Sequence, residues 1–395
     1  MFKCIYNPFS YPLSLHFKAP LMTIEALRPV ASAGGSLGES EPPAYVAPAM
    51  TKENLDYADL AIIDLSKANT PAGRAELAVE LCDAMKTKGF FYAINHGYTQ
   101  EQTNQMFSIS QLAFDGVSDE EKVQYEGTSP TVYEGYKPKQ TWHIDHGVRD
   151  QIEHYNINRH VERVPQPQAL RPFVPLMEAF AKHNFFNILH PVLRLLAIGL
   201  ELPEDTLIKD HDWDGEGFTT IRFMKYHPRS TDEEEKTKNV WLKGHTDFGS
   251  ITILWSQPVA GLQILSPDGK WRWVRHMENA VVINAGDALE FLCGGYYPPT
   301  RHRVIQPPSD QANIPRYGLF FFVMPNDNVK LIPHEESPVL QKQGVHRLCD
   351  PKDAPRMEDW RKERTKSYGK VELKMGKEKG VEEEIVSGVI VKHYN

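Results

Sequence analysis

Apolar positions along the chain follow two regimes. In the first half they recur at helical spacing between short apolar runs. Residues 61–65 read as a first strand. Over residues 74–88, Leu77, Leu81, Ala84 and Met85 fall on one helical face, and Gly89 is placed to stop the helix. Residues 90–94 form a buried strand and residues 101–114 a second helix. Ser118 with Glu121 is a capping box that opens a short helix through Tyr125, followed by a loop over 127–138. The longest amphipathic stretch is 173–200, with Leu176, Met177, Phe180, Leu189, Leu193, Leu196 and Leu200 near one stripe. Pro191 should kink it or join two helices, since proline removes an N–H and crowds the preceding turn.

From Phe218 the pattern changes to short strands: 219–226, 250–255, 262–265, 271–274, 280–283, 288–292, 302–305 and 317–324. Turn residues such as Pro267-Asp268-Gly269 separate them. Many short strands with regular turns predict a sandwich or barrel, packed on the long helix as a spine. The charged stretch 231–238 reads as a solvated loop. Residues 357–366 predict a helix, and beyond 376 a solvated tail and an ordered segment are equally compatible. Four regions follow: a Gly/Ser/Pro-rich extension over 1–50, helices with short strands over 51–170, the long helix and strand-rich core over 171–345, and a charged segment over 346–395.

Composition narrows the classes. With 41% apolar and 24% charged residues, the profile is that of a globular domain. A net charge of −8 lacks the basic face a nucleic-acid partner would need. No apolar run reaches the roughly 18 residues of a membrane span. Four scattered cysteines without a C-x-x-C fit reduced thiols in a cytoplasmic protein. Oligomeric state is not readable.

The chemistry sits in Gly244-His245-Thr246-Asp247-Phe248-Gly249. In a strand, residues two apart share a face, so His245 and Asp247 would point the same way. His302, downstream, supplies a plausible third ligand. Two imidazoles and one carboxylate with three open positions suit a non-haem Fe(II) oxygenase site. Arg316 opens an apolar strand, where a cation is costly unless paired, and its planar fork would hold a carboxylate. His143 and His146 stand three apart, but no second ligand pair at metal spacing accompanies them.

With the stretches 88–97, 261–265 and 282–287, this order resembles the 2-oxoglutarate/Fe(II)-dependent dioxygenases of the isopenicillin N synthase-like branch, over residues 60–344. The details are closer to fungal members tied to secondary metabolism. The resemblance implies an α+β fold with a mainly β core, a double-stranded β-helix of jelly-roll or cupin-like type. It implies Fe(2+) on His245, Asp247 and His302, with 2-oxoglutarate chelated beside it and its far carboxylate on Arg316. Dioxygen would complete the reaction, with succinate and carbon dioxide released and a C–H bond of a small organic molecule oxidised by hydroxylation, desaturation or ring closure. The charged C-terminal helix would fold over the barrel mouth.

Two departures stand out. Where the family commonly has a serine two residues after the arginine, this chain has Gly318. Where a tyrosine before a proline often meets the cosubstrate, this chain has His227, which is the expected substitute. Tyr133, Tyr136, Trp142 and Phe321 near the expected pocket suit a flat, apolar substrate. The competing readings are an iron oxidase of the same fold that does not use 2-oxoglutarate, and a cupin-like binding protein without turnover.

Overall fold

Two β-sheets face each other in the computed structural model, and helices cover the outer face of one of them. The structure describes residues 41–127, 134–367, 374–375 and 381–394. Most of the N-terminal extension and Tyr133 lie outside the described residues.

The first sheet runs β1 (Ile62–Asp64), β2 (Phe90–Ile94), β10 (Val281–Ala285), β7 (Ile251–Trp255), β12 (Arg316–Val323), β5 (Thr220–Tyr226), β4 (Ile152–Asn158) and β3 (Gly135–Lys137). The second runs β9 (Trp271–Trp273), β8 (Leu262–Leu265), β11 (His302–Ile305), β6 (Val240–His245), β14 (Val389–Tyr394) and β13 (Val381–Val386), then residues 374–375. This is the double-stranded β-helix expected. Strand alternation divides the side chains of the first sheet. Phe91, Ile221, Phe223, Ile253, Trp255, Ile283, Leu319 and Phe321 join the helices in the main core, while their neighbours face the second sheet.

Helix α1 (Pro71–Thr87) begins where Thr70 accepts from the Gly73 N–H, with Pro71 in the first turn, where its missing N–H costs nothing. It ends at Gly89, whose φ of +64° suits glycine. A Cβ there would fall on the Thr300 hydroxyl, which donates to the Lys88 carbonyl two residues before His302. Helix α2 (Gln100–Asp115) carries a full capping box from Thr99 and Gln102.

The long spine is not one α-helix. Val174–Lys182 (α3) and His190–Gly199 (α4) flank a π-helical stretch, His183–Leu189, immediately before Pro191. Proline cannot donate to the preceding turn, and the widened helix absorbs the mismatch. This stretch turns His183 onto Tyr98 (ring centroids 3.9 Å apart) and Asn184 onto the indole N–H of Trp255. Burial, helped by His96, pulls the His183 pKa down to about 3 from 6.5. The folded protein thus holds His183 neutral while the unfolded chain protonates near 6.5, so stability present above that pH is lost as pH falls toward 3. The expected slope from this one side chain is about 1.4 kcal/mol per pH unit. Urea midpoints at pH 7 and pH 5 measure it, and His183→Gln should shrink the difference between them.

Two elements differ from the sequence expectation, and a third takes one of the two forms left open there. Residues 231–238 are not a loop: Thr231–Thr237 is a helix (α5), capped reciprocally by Ser230 and Glu233. Its Glu234 is buried, paired with Arg229 at 2.9 Å and accepting from the Trp241 indole at 2.7 Å. Residues 288–292 are not a strand but most of helix α6 (Asp287–Leu292), because a short apolar run does not distinguish the two. Beyond 376, β13 and β14 form a hairpin turned by Ser387 and Gly388, both at positive φ as a type I′ turn requires. The predicted helix near 357 is present as α7 (Met357–Ser367).

Candidate active site

His245 ends β6, and its cross-strand partner on β11 is His302. The register places the two rings side by side, with centroids 4.4 Å apart. Asp247 lies just past the strand end, so strand alternation alone does not aim it; the turn into β7 does. Its backbone carbonyl accepts from the Asp287 N–H at 2.7 Å, and Gly286 leaves room because a Cβ there would meet the Gly249 and Asp247 carbonyls. The His245 and His302 Nε2 atoms stand 3.7 and 3.8 Å from the two Asp247 oxygens, and the three ligand atoms lie within 4.8 Å of one another. All three residues are buried.

The donor set suits a divalent metal in detail. His245 Nδ1 is 2.8 Å from the Lys243 carbonyl, and His302 Nδ1 is 3.1 Å from that of Thr300. A carbonyl only accepts, so each Nδ1 carries the proton and each Nε2 presents its lone pair to the shared point. Burial works to raise the Asp247 pKa, but the charge of His302 and His245 whenever they are protonated, and hydrogen bonds from Asn284 and Thr252, outweigh it and hold the acid below the usual carboxylate range. Those bonds, 2.9 Å from Asn284 Nδ2 and 2.7 Å from Thr252 Oγ1, end on one carboxylate oxygen and fix its plane. Asn284 and Thr252 carried no assigned role in the sequence. The signal available was a polar residue inside an otherwise apolar buried strand.

These residues open onto a cavity of about 940 Å3, counted to its open mouth, between the two sheets. Arg316 lines it. The guanidinium is buried, its Nε donates to the Val259 carbonyl at 3.3 Å, and its Nη1 has no hydrogen-bond partner. No ion pair to a carboxylate is formed by it among the described residues. A buried cation with an unanswered donor is costly, and a carboxylate entering the cavity would answer it. Tyr226 is the direct cross-strand partner of Arg316, and its ring lies 5.4 Å from the guanidinium. Burial pushes its phenol up to about 12, so it remains a hydrogen-bond donor. The imidazole pair, the acid and the orphaned arginine fit iron with a bound 2-oxo acid.

Several expected positions are corrected by strand parity. On β5, Thr220, Arg222, Met224 and Tyr226 face the cavity, so His227 does not. His227 instead meets Glu153 at 2.6 Å, and Tyr226 occupies the place expected of it. On β12, Phe320 and Phe322 face the cavity, while Phe321 packs into the helical core. Tyr136 is also in that core, stacked on Tyr155. Trp142 does line the cavity. At Gly318 the missing side chain is replaced by a neighbour: a Cβ there would come within 2.4 Å of the Phe320 ring.

Comparison with known proteins agrees with this architecture. Residues 60–175 match the model of the non-haem dioxygenase N-terminal region described from morphine synthesis, and residues 217–325 match that of the 2OG-Fe(II) oxygenase superfamily. The chain belongs to the 2-oxoglutarate/Fe(II)-dependent dioxygenases and is an oxidoreductase that uses iron and 2-oxoglutarate. It is 27% identical over 270 residues to the 2-oxoglutarate-dependent dioxygenase FG08081 of Gibberella zeae, covering 67% of this chain and 79% of that one. With scopoletin 8-hydroxylase of Arabidopsis thaliana it shares 27% over 292 residues, 72% of this chain and 75% of the relative. The crystal structure of a full-length Neurospora crassa protein in complex with α-ketoglutarate superimposes with a TM-score of 0.69 at 24% identity, covering 80% of this chain and 99% of that one. That likeness speaks to the fold. No helix among the described residues is long and apolar enough to cross a membrane.

Proposed function

We propose that His245, Asp247 and His302 hold the iron, that Arg316 and Tyr226 hold the far carboxylate of 2-oxoglutarate, and that the substrate is a flat, largely apolar small metabolite. The unanswered Nη1 of Arg316, buried in the same cavity as the triad, carries the reading. When bound, iron with 2-oxoglutarate and dioxygen supplies the oxidising power, and succinate and carbon dioxide leave. The protein's own share is orientation and dryness. Hydrogen bonds from the Nδ1 protons to the Lys243 and Thr300 carbonyls keep both imidazoles aimed, and Asn284 and Thr252 keep the acid ionised and its plane fixed. Apolar walls from Leu242, Leu254, Leu262 and Val304 exclude water around them.

The substrate reading rests on the aromatic side chains of the same lining. Phe320 and Phe322 stack on each other, centroids 5.3 Å apart at 14°, and with Trp142 and Phe248 they make part of the lining aromatic. Arg222 lies with its guanidinium 4.4 Å over Phe322, where a polar group on the substrate would meet it. One relative is named for hydroxylating scopoletin, which accords with a small-molecule substrate. Secondary metabolism and a cytoplasmic setting belong to the same proposal.

The test is a screen for substrate-coupled succinate release by iron-loaded protein, with mass spectrometry of the products. Gain of one oxygen identifies hydroxylation; loss of a hydrogen pair identifies desaturation or ring closure. Turnover of a substrate without succinate would favour the oxidase that needs no 2-oxoglutarate. Phe322→Ala should raise the KM for the substrate about 30-fold, since a phenylalanine covered by substrate contributes roughly 2 kcal/mol, and leave that for 2-oxoglutarate unchanged.

A further inference from the structure

The loop carrying Asp247 is held from outside the barrel at three successive carbonyls. Thr246 accepts from Arg364 Nη2 at 3.5 Å, Asp247 from the Asp287 N–H at 2.7 Å, and Phe248 from the Trp360 indole N–H at 3.2 Å. Two of these donors belong to α7, far along the chain. Arg364 also reaches the Asp287 carboxylate at 3.4 Å, so one guanidinium joins the loop, α6 and α7. Both donors are buried at 1% exposure, and Trp360 packs edge-on against Phe291.

Helix α7 is itself tied down. The Glu363 carboxylate accepts from both the N–H and the hydroxyl of Ser387 in the β13–β14 turn. From that turn β14 runs to pair with β6, at Gly244, the residue before His245. The C-terminal segment therefore grips the strand that carries one imidazole and the loop that carries the acid. Neither Trp360 nor Arg364 lines the cavity, so neither meets substrate or cosubstrate.

We propose that helix α7 and the β13–β14 hairpin (381–394) form a clamp that sets the affinity for the metal, with Trp360 and Arg364 as positioning residues for Asp247. The proposal rests on the reading of His245, Asp247 and His302 as ligands. The five-residue connection from His245 to Ile251 has backbone freedom of its own. Fixing its carbonyls orients the carboxylate before the metal arrives, so the ordering cost is not subtracted from binding. Coupling of this kind is reciprocal: the metal tightens the docked segment by the factor with which the segment tightens the metal.

The experiment uses the full chain, metal-free, titrated with Co(II) in a calorimeter. Trp360→Phe keeps the ring and deletes the N–H; Arg364→Met deletes the donors and Arg364→Lys restores the charge. Trp360→Phe and Arg364→Met should each weaken Co(II) about tenfold, as loss of partners behind metal ligands does, with Arg364→Lys in between. Circular dichroism should show the metal-free variants folded at the assay temperature. Amide exchange in 357–367 and 381–394 of the unaltered protein should slow when Co(II) is added. Unchanged affinity in both variants, exchange indifferent to the metal, or a loss that merely tracks unfolding would overturn the clamp. His245→Ala separates the two readings. If it still binds Co(II) normally, the ligand assignment has failed; if it does not while both α7 variants do, only the clamp has.

Discussion

Asp247→Ala should leave a folded protein that retains no iron and makes no succinate. The carboxylate lies between two imidazoles whose Nε2 atoms stand 3.7 and 3.8 Å from it, and no other acid belongs to this ligand cluster among the described residues. Two neutral nitrogens alone do not offset the cost of stripping water from a divalent cation. The loss of metal affinity should therefore exceed the roughly 100-fold ceiling typical of partners behind the ligands. Asn284→Leu is the graded companion: it removes one of two hydrogen bonds to the acid and should cost about 10- to 100-fold. Calorimetric titration with Fe(II) under anaerobic conditions, with succinate measured in parallel, checks both. An Asp247→Ala protein with full iron content and turnover would end the assignment.

Arg316→Met should raise the KM for 2-oxoglutarate at least about 30-fold while leaving Fe(II) affinity unchanged. Truncating one partner of a buried charge pair costs roughly 2–5 kcal/mol. The unusual part of the expectation concerns the protein without cosubstrate. With Nη1 unanswered and burial working against the charge, the guanidinium is a liability until an anion arrives. Methionine fills much of the same volume without a charge, so the metal-free, cosubstrate-free variant should be as stable as the parent or more so. Thermal unfolding with and without 2-oxoglutarate measures this: the ligand should raise the parent's midpoint and not the variant's. A variant that loses stability and keeps its KM would make Arg316 a structural residue, fastened to the Val259 carbonyl.

Much of this site was legible in the chain because its logic is local. His245, Asp247, His302 and Arg316 stand at strand ends or strand starts, where short apolar runs mark the register. The failures at Phe321 and His227 have one cause, the period of two. Each was one residue out of phase with the cavity face, and a step of one inverts every side chain. Nothing in composition sets that phase; it comes from pairing β5 with β12, Arg316 opposite Tyr226. Asn284, Thr252, Trp360 and Arg364 were missed for another reason. They act on Asp247 through carbonyls or a single oxygen, contacts that leave no periodic trace. Helix α5 was missed although its capping box was in plain view, because its charge was taken for solvation.

The addition of β14 to β6 has a practical side. A sheet margin with unpaired N–H and C=O groups is a template for other chains, and short or covered margins are how proteins avoid sticking to themselves. Versions of this protein ending before residue 381 would bare that margin beside the most sensitive strand of the molecule. They should self-associate in proportion to concentration even where their interiors remain well packed.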